Sequence, residues 1–543
     1  MKESHISSAD PLHGSSWPET YWSTTNVAEA MPGVQTPLGW TVWAPICELG
    51  IRGAFASAGA IPRSEAVVPQ DPRDRTYNIF FGRAVLQVDF FYKIGNRMPG
   101  TDGASVVKQW LDHVPPEFSA STSVRRYPFV AAMMPTTFVR VPTVVRQLRA
   151  ENEAWYRGEQ ARISTLGRDE SQAAFSAAIA RLDKALRIQA RTVLCGVQPV
   201  FDQLERLIES VGGPTTGLLR GYGSHEETRM VEDLWACSRD ELDIAEFLGR
   251  HGYHGPNSGE LSAVVWREDP APVHRLIASY RELGDDKNPA HGEHEKIAQR
   301  EVLEAELLAA VPRSRRLGAR AILELAHRYL PLRGTGKVAF LQALDVSRAA
   351  ARQYGRHLTD AGVLQQPDDV FMLTATEVTK GLPADVRAVV EERRAEYERF
   401  QTLDLPSAWQ GEPTPIKLRE KASQDRAADE ARLLTGTGCS PGVVEGVVRV
   451  CTDPADEDVE GGEILVTRTT DPSWASIMFL SSALVVDIGG KLSHAAIVAR
   501  ELGVPCVMGT GNAVELLRTG DRCRVDGNAG TVEILQRAGG VLA

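Results

Sequence analysis

Over most of residues 16 to about 405, apolar side chains return at helical spacing. From Ser171 to Ser210, the positions Ile179, Leu182, Leu186, Val193, Val200, Leu204 and Ile208 fall near one face of a 3.6-residue helix, and Gly212-Gly213-Pro214 ends it. The same pattern predicts helices near 139–158, 227–249, 271–283, 291–311, 314–329, 344–362 and 384–403. The period shortens to two around Ile79-Phe80-Phe81 and Val85-Leu86-Gln87-Val88, which read as strands. At Leu405-Pro406 a run rich in Pro and Gly breaks the helical pattern, and 416–434 is charged and polar. The chain therefore divides into a polar N-terminal tail (1–15), a mostly helical domain (16–405), a linker (406–434) and a C-terminal domain (435–543). No internal repeat interrupts this plan.

Bulk properties narrow the class. A chain of 543 residues exceeds what one core usually serves, about 250–300 residues, so several domains are expected. The formal net charge of −11 and the lack of a basic run argue against a non-specific nucleic-acid binder. Seven cysteines are scattered without a C-x-x-C pair, the pattern of reduced thiols and not of a disulfide frame or zinc site. The opening Met1-Lys2-Glu3-Ser4-His5 leads into polar residues with no apolar signal region. No stretch is expected to reach the roughly 18 apolar residues of a membrane span. These traits predict a cytoplasmic protein with no membrane or nucleic-acid partner.

The sharpest chemistry lies near the C-terminus, in Gly489-Gly490-Lys491-Leu492-Ser493-His494-Ala495-Ala496-Ile497-Val498-Ala499-Arg500-Glu501. A neutral imidazole is a competent nucleophile near pH 7, because its ordinary pKa is about 6.5. The glycine pair lets the backbone turn tightly beside a bulky anion. The helix that follows presents free N–H groups and the positive end of its dipole to the turn, a seat for phosphate. His494 is thus placed to carry a phosphoryl group, with Gly489, Gly490, Lys491 and Ser493 as candidate phosphate contacts.

This segment resembles the phosphohistidine swivelling domain of enzymes related to phosphoenolpyruvate synthase and pyruvate phosphate dikinase. Their pattern, Gly-Gly-x-x-(Ser/Thr/Cys)-His-(Ala/Gly)-Ala-(Ile/Val)-(Ile/Val)-Ala-Arg-Glu, is met at each element. Ser440-Pro441-Gly442, Gly462-Glu463-Ile464-Leu465-Val466-Thr467 and Gly520-Asp521 resemble flanking turns and strands, so the likeness covers about residues 436–536. It implies a β/α swivelling domain whose loop 467–473, with Thr467, Arg468, Thr469 and Ser473, folds near the histidine. The fold class implied is multidomain α+β: a mostly α-helical substrate domain followed by a C-terminal β/α phosphohistidine domain.

The N-terminal region is similar, less specifically, to the substrate domain of rifampin phosphotransferases. The likeness rests on Trp22 to Leu38, on Arg250-His251-Gly252-Tyr253-His254-Gly255-Pro256-Asn257-Ser258-Gly259-Glu260-Leu261, and on Asp369-Val370-Phe371-Met372-Leu373-Thr374. His251, His254 and Glu260 lie in a Gly/Pro-rich loop, where functional side chains are commonly displayed, and either histidine suits a general base. Arg333 and Lys337 match the Arg and Lys of the family's Arg-Glu-x-x-Lys element, and cations suit a transferring phosphoryl group. Gly334 stands where the family has Glu. Arg83, in the strand-like segment, is a further candidate for a phosphate or a subunit contact. No metal site is expected.

The resemblance also sets expectations about what acts with the chain. Relatives acting on phosphoenolpyruvate or pyruvate carry a barrel after the histidine domain, and the sequence stops at Ala543, so pyruvate is not the expected acceptor. The substrate-domain motif begins by Trp22, leaving no room for the ATP-grasp domain, and Arg333-Gly334-Thr335-Gly336-Lys337 is too short for a P-loop. ATP and Mg2+ are therefore expected on a separate ATP-grasp partner. The leading expectation is phosphoryl transfer through His494 to a hydroxyl of a small organic molecule. A phosphorylation-coupled dehydratase and a non-catalytic phosphocarrier or regulatory subunit stay open as alternatives.

Overall fold

The computed structural model describes residues 10–24, 27, 31–111, 114–119, 121–212, 218, 222, 225–417, 433–451, 461–470, 472–490 and 493–538. Contacts divide the chain into two compact units. One comprises Met1–Gly196, Gly259–Ser262 and Gly336–Leu418; the other comprises Val197–Ser258, Ala263–Thr335 and Arg419–Ala543. The stretch 16–405 is thus distributed over both units.

The first unit is built on α1 (Pro37–Ala58), α2 (Tyr127–Arg162) and α3 (Arg168–Thr192). Thr36 caps α1 by accepting from the Gly39 N–H at 3.1 Å, Pro37 occupies the first turn, and Gly59 ends it in the left-handed conformation. A small sheet of order β2-β3-β1-β5 flanks these helices, with β1 (Tyr21–Ser23), β2 (Tyr77–Phe80), β3 (Arg83–Gln87) and β5 (Ala408–Gln410). The β2–β3 hairpin turns on Phe81 and Gly82, both at positive φ, as a two-residue hairpin of right-handed twist requires. Trp22, Phe80, Val85 and Leu405 form its core. Part of the expected linker is in fact paired: Ala408–Gln410 with β1, and β6 (Ile416–Lys417) with β4 (Leu403–Asp404). Residues 418–432 of that linker lie outside the described residues.

Three helical expectations change. The single helix expected near 227–249 is observed as two, His225–Ser238 and Ile244–His251. The single helix over 171–210 is observed as α3, a π-helical turn at Val193–Val197, and then α4 (Gln198–Glu209). One extra residue per turn re-phases the apolar stripe at the point where the two units divide. The helix near 139–158 is the far longer α2, and Val124–Thr165 is long and apolar enough, by length and composition only, to cross a membrane. That corrects the expectation that no such stretch exists; Thr136, Thr137 and Arg140 interrupt the apolar residues and hide the run from the eye.

The second unit is organised by a sheet of order β7-β14-β13-β9-β10-β11-β12-β8, with β7 (Leu433–Thr435) at one edge beside β14 (Thr531–Gln536). Strands β9 (Val443–Val450), β10 (Ile464–Thr467), β11 (Ala483–Val486) and β12 (Cys506–Met508) are parallel, while β8 (Thr437–Ser440) and β13 (Arg522–Asp526) close on them antiparallel. Every residue of β10 and β11 is buried, the mark of strands covered on both faces. Ile464, Val466, Ala483 and Val485 face one core; Leu465, Leu484 and Val486 face another. That second core is completed by α5 (His225–Ser238), α6 (Ile244–His251) and α7 (Ala271–Arg281), through Leu234, Phe247, Ile277 and Tyr280. The Tyr280 hydroxyl donates to the Ser476 carbonyl at 3.0 Å, satisfying the polar end of a fully buried ring.

Candidate phosphohistidine site

The site is assembled at the carboxyl ends of the parallel strands, where open α/β sheets place ligands. Thr467, Val486 and Met508 lie level across β10, β11 and β12. Parallel pairing runs on past β11, with Asp487 N–H donating to Thr467 O at 3.1 Å and Ile488 N–H to Arg468 O at 3.0 Å. Gly489 then turns at φ +137°, a conformation costly for any residue with a Cβ. Its carbonyl passes 3.2 Å from where a Cβ on Gly509 would sit, so two chains meet closely at this turn. Around Gly490 a Cβ would meet nothing, which leaves open space in front of the helix.

Three more helices are α8 (Leu332–Asp360), α9 (Ala475–Leu480) and α10 (His494–Leu502), the last of which carries the histidine. At α10 the Ser493 hydroxyl accepts from the Ala496 N–H at 3.3 Å and contacts Met508 Sδ at 3.0 Å, while Ser493 N–H donates to Gly490 O at 2.9 Å. His494 is therefore the first residue of α10, at the positive end of its dipole. Lys491 and the imidazole of His494 lie outside the described residues. Gly503 closes the helix in the left-handed conformation.

Two charged neighbours fix this turn. Asp487 accepts from Thr510 Oγ1 at 2.8 Å and from Val514 N–H at 3.2 Å; burial raises its pKa, and those donors partly offset the rise. Arg500 is buried and donates from Nε to Ala496 O at 2.9 Å, so it braces α10 from within. Of the loop residues, Thr467 donates from Oγ1 to Thr469 O at 3.3 Å, and Ser473 is buried.

His251 and His254 are buried in the helical layer of the same unit. His251 pairs through Nε2 with Asp233 Oδ2 at 2.7 Å, and Arg250 reaches Asp233 Oδ1 at 3.2 Å. Burial alone would raise the Asp233 pKa; the His251 hydrogen bond and Arg250 outweigh it and leave it lowered. The two imidazoles stack at 6.3 Å, and His254 packs against Trp266 at 5.8 Å. Asp233 escaped the sequence reading, although its place on α5 follows from helical spacing once α6 is packed against it.

These features meet the known proteins at two places. Residues 459–530 match the PEP-utilising enzyme, mobile domain, and residues 226–334 match the rifampicin phosphotransferase fourth domain. Similar proteins include an uncharacterized protein of Mycobacterium tuberculosis, 33% identical over 53% of this chain and 30% of its own length. A rifampicin phosphotransferase of a Streptomyces species is 35% identical over 55% of this chain and 35% of its own. An uncharacterized phosphotransferase of Bacillus subtilis is 29% identical over 54% and 36%. The chain thus spans about a third of the length of the curated relatives it matches.

The mobile-domain match brackets the Gly489–Arg500 turn and helix, and the fourth-domain match brackets α5 to α7 with His251 and His254. The remaining candidates separate from them. Glu260 belongs to the first unit, at the N-terminus of α1. It accepts from Thr36 Oγ1 at 2.6 Å and from Ser262 N–H at 3.2 Å, and a Cβ on Gly39 would come within 2.7 Å of it. Burial raises its pKa, with the Thr36 and Ser262 donors and the Arg348 charge pulling the other way. Arg333 and Lys337 stand one turn apart on α8, and the unit division falls between Thr335 and Gly336. A Cβ on Gly336 would lie 1.9 Å from Gln189 Oε1, so this glycine serves close packing. Arg83 donates to Leu403 O from Nη2 at 2.6 Å and faces Asp404 at 3.7 Å, holding β3 to the 403–404 strand. Among the described residues, no three His, Cys, Asp or Glu side chains gather as metal ligands would.

Proposed function

We propose that the chain is the substrate and phosphohistidine component of a phosphotransferase, with His494 as the carrier. The observation that carries this reading is His494 at the start of α10, behind the positive-φ turn at Gly489 on the loop that leaves β11. In the first step an imidazole nitrogen attacks the γ-phosphorus of ATP on a separate ATP-grasp protein, where Mg2+ is also held, and ADP leaves. In the second, a hydroxyl oxygen of a small organic acceptor attacks the same phosphorus. The N–P bond breaks, the electron pair returns to the ring, and the hydroxyl proton passes to a base. Arg333 and Lys337 are the proposed cations for the transferring group.

Intact-protein mass spectrometry at neutral pH tests this reading, on wild type and His494→Ala with Mg·ATP, alone and with an extract of the source cells. One acid-labile phosphate on wild type, only with extract, is the expected result. Label without extract would place the nucleotide site on this chain and overturn the separate-partner part. Equal labelling of His494→Ala, or no label in any condition, would overturn the carrier role.

A further inference from the structure

A cleft of about 580 Å3 opens between α1, α2 and α3, wholly within the first unit. That volume lies inside the range of small-molecule sites, about 300–1,000 Å3. Its walls are of two kinds. Met133, Val141, Val144 and Ile188 make an apolar side. Arg63, Arg140 and Arg191 bring three positive charges to the same space, and no Asp or Glu lines it.

Nothing among the described residues balances those charges. None of the three guanidiniums makes an ion pair or a side-chain hydrogen bond there, and Arg191 Nε is buried with no partner. The nearest acid in sequence to Arg63, Glu65, is held by Lys93 Nζ at 3.0 Å and Arg97 at 4.0 Å. On α3, Asp183 is taken by Arg187 at 2.8 Å. Like charges around a shared, partly enclosed space repel, and a buried unpaired donor carries a desolvation cost. An anion in the cleft relieves both.

The hydroxyls add a further constraint. Thr137 Oγ1 donates to Ser57 O at 2.7 Å, Ser57 Oγ to Ala54 O at 2.7 Å, and Thr192 Oγ1 to Ile188 O at 2.8 Å. With their protons committed to backbone carbonyls, these oxygens offer only lone pairs to a guest. They suit a ligand that brings its own hydroxyl proton.

We infer that this cleft binds a small organic anion with an apolar body and a hydroxyl group. Calling that ligand the phosphoryl acceptor rests on the proposed function; the binding itself does not. The guanidiniums take the anionic head, the aliphatic side chains cover the body, and the threonine and serine oxygens orient the hydroxyl.

The test is calorimetric titration of the full chain with 6-hydroxy-2-naphthoate, 2-naphthol and inorganic phosphate, without ATP or any partner protein. One saturable site for the naphthoate is expected, with 2-naphthol and phosphate each at least tenfold weaker. Arg140→Gln and Arg191→Gln should each weaken naphthoate binding several-fold. A Cβ on Gly53 projects into open space in the cleft wall, so Gly53→Leu should narrow the cleft, weaken naphthoate binding several-fold and keep the fold, since it also raises helix propensity. No saturable naphthoate binding, 2-naphthol binding within twofold of the naphthoate, or full binding by Gly53→Leu would each overturn the inference. His494→Ala should bind the naphthoate as wild type does, so loss of phosphoryl transfer and loss of binding are read separately.

Discussion

Two buried carboxylates of the second unit sit at strand ends: Asp487 follows β11 and Asp521 precedes β13, each taking backbone N–H donors. The first unit instead carries charge through the middle of its helices. Arg348 is fully buried on α8, donating to Glu260 O at 2.8 Å and Leu261 O at 3.2 Å, with Asp345 at 3.5 Å. Asp345 in turn accepts from Tyr156 on α2 at 2.8 Å. The difference teaches where each unit's specificity lies. In a sheet the backbone groups of neighbouring strands pair with one another and so tie segments together; a helix uses its backbone groups within itself, so side chains such as Arg348 and Asp345 tie one helix to another segment.

The largest expected effect tests that contrast. Arg348→Ala leaves Asp345 buried without its cation and two carbonyls without a donor, which should cost about 3–5 kcal/mol in urea unfolding followed by tryptophan fluorescence. A loss below about 1 kcal/mol would break the comparison. A smaller effect is expected in the second unit, where Ser493→Ala removes only a helix cap. It should cost about 1 kcal/mol and raise amide exchange at Ala496, while Ser493→Asp restores protection.

A third effect depends on pH and lies in the first unit. His13 accepts from the Phe81 N–H through Nδ1 at 3.2 Å and packs on Phe80 and Phe81. Burial, aided by Arg399, lowers its pKa from 6.5 to about 4. The unfolded chain therefore binds a proton that the folded chain refuses between those values, and stability falls as pH drops from 6.5 towards 4. Thermal unfolding across that range should show a drift of the midpoint in wild type that His13→Asn flattens; an unchanged slope would remove His13 from the account.

The histidine turn was legible because all its parts are local. Gly489, Ser493 and His494 are neighbours in sequence, and the turn, the cap and the helix start need no distant partner. Strands β2 and β3 were legible for the same reason, through their alternation, while the turn at Phe81-Gly82 that joins them was not. The loop 250–261 shows the opposite. It reads as one polar cluster, yet His251 pairs with Asp233 within the second unit, while Glu260 pairs with Thr36, 224 positions away, within the first. The π-helical turn at Val193–Val197 was hidden because its apolar residues fit a continuous helix nearly as well.

The sequence by itself determined the histidine motif and most helices, because periodicity and turn chemistry act over a few residues. Only the tertiary structure decided which helices share a unit with that sheet, which partner each buried charge takes, and that Arg63, Arg140 and Arg191 line one cleft. Those are contacts between residues far apart in the chain. They depend on how helices cross, and no local pattern records that.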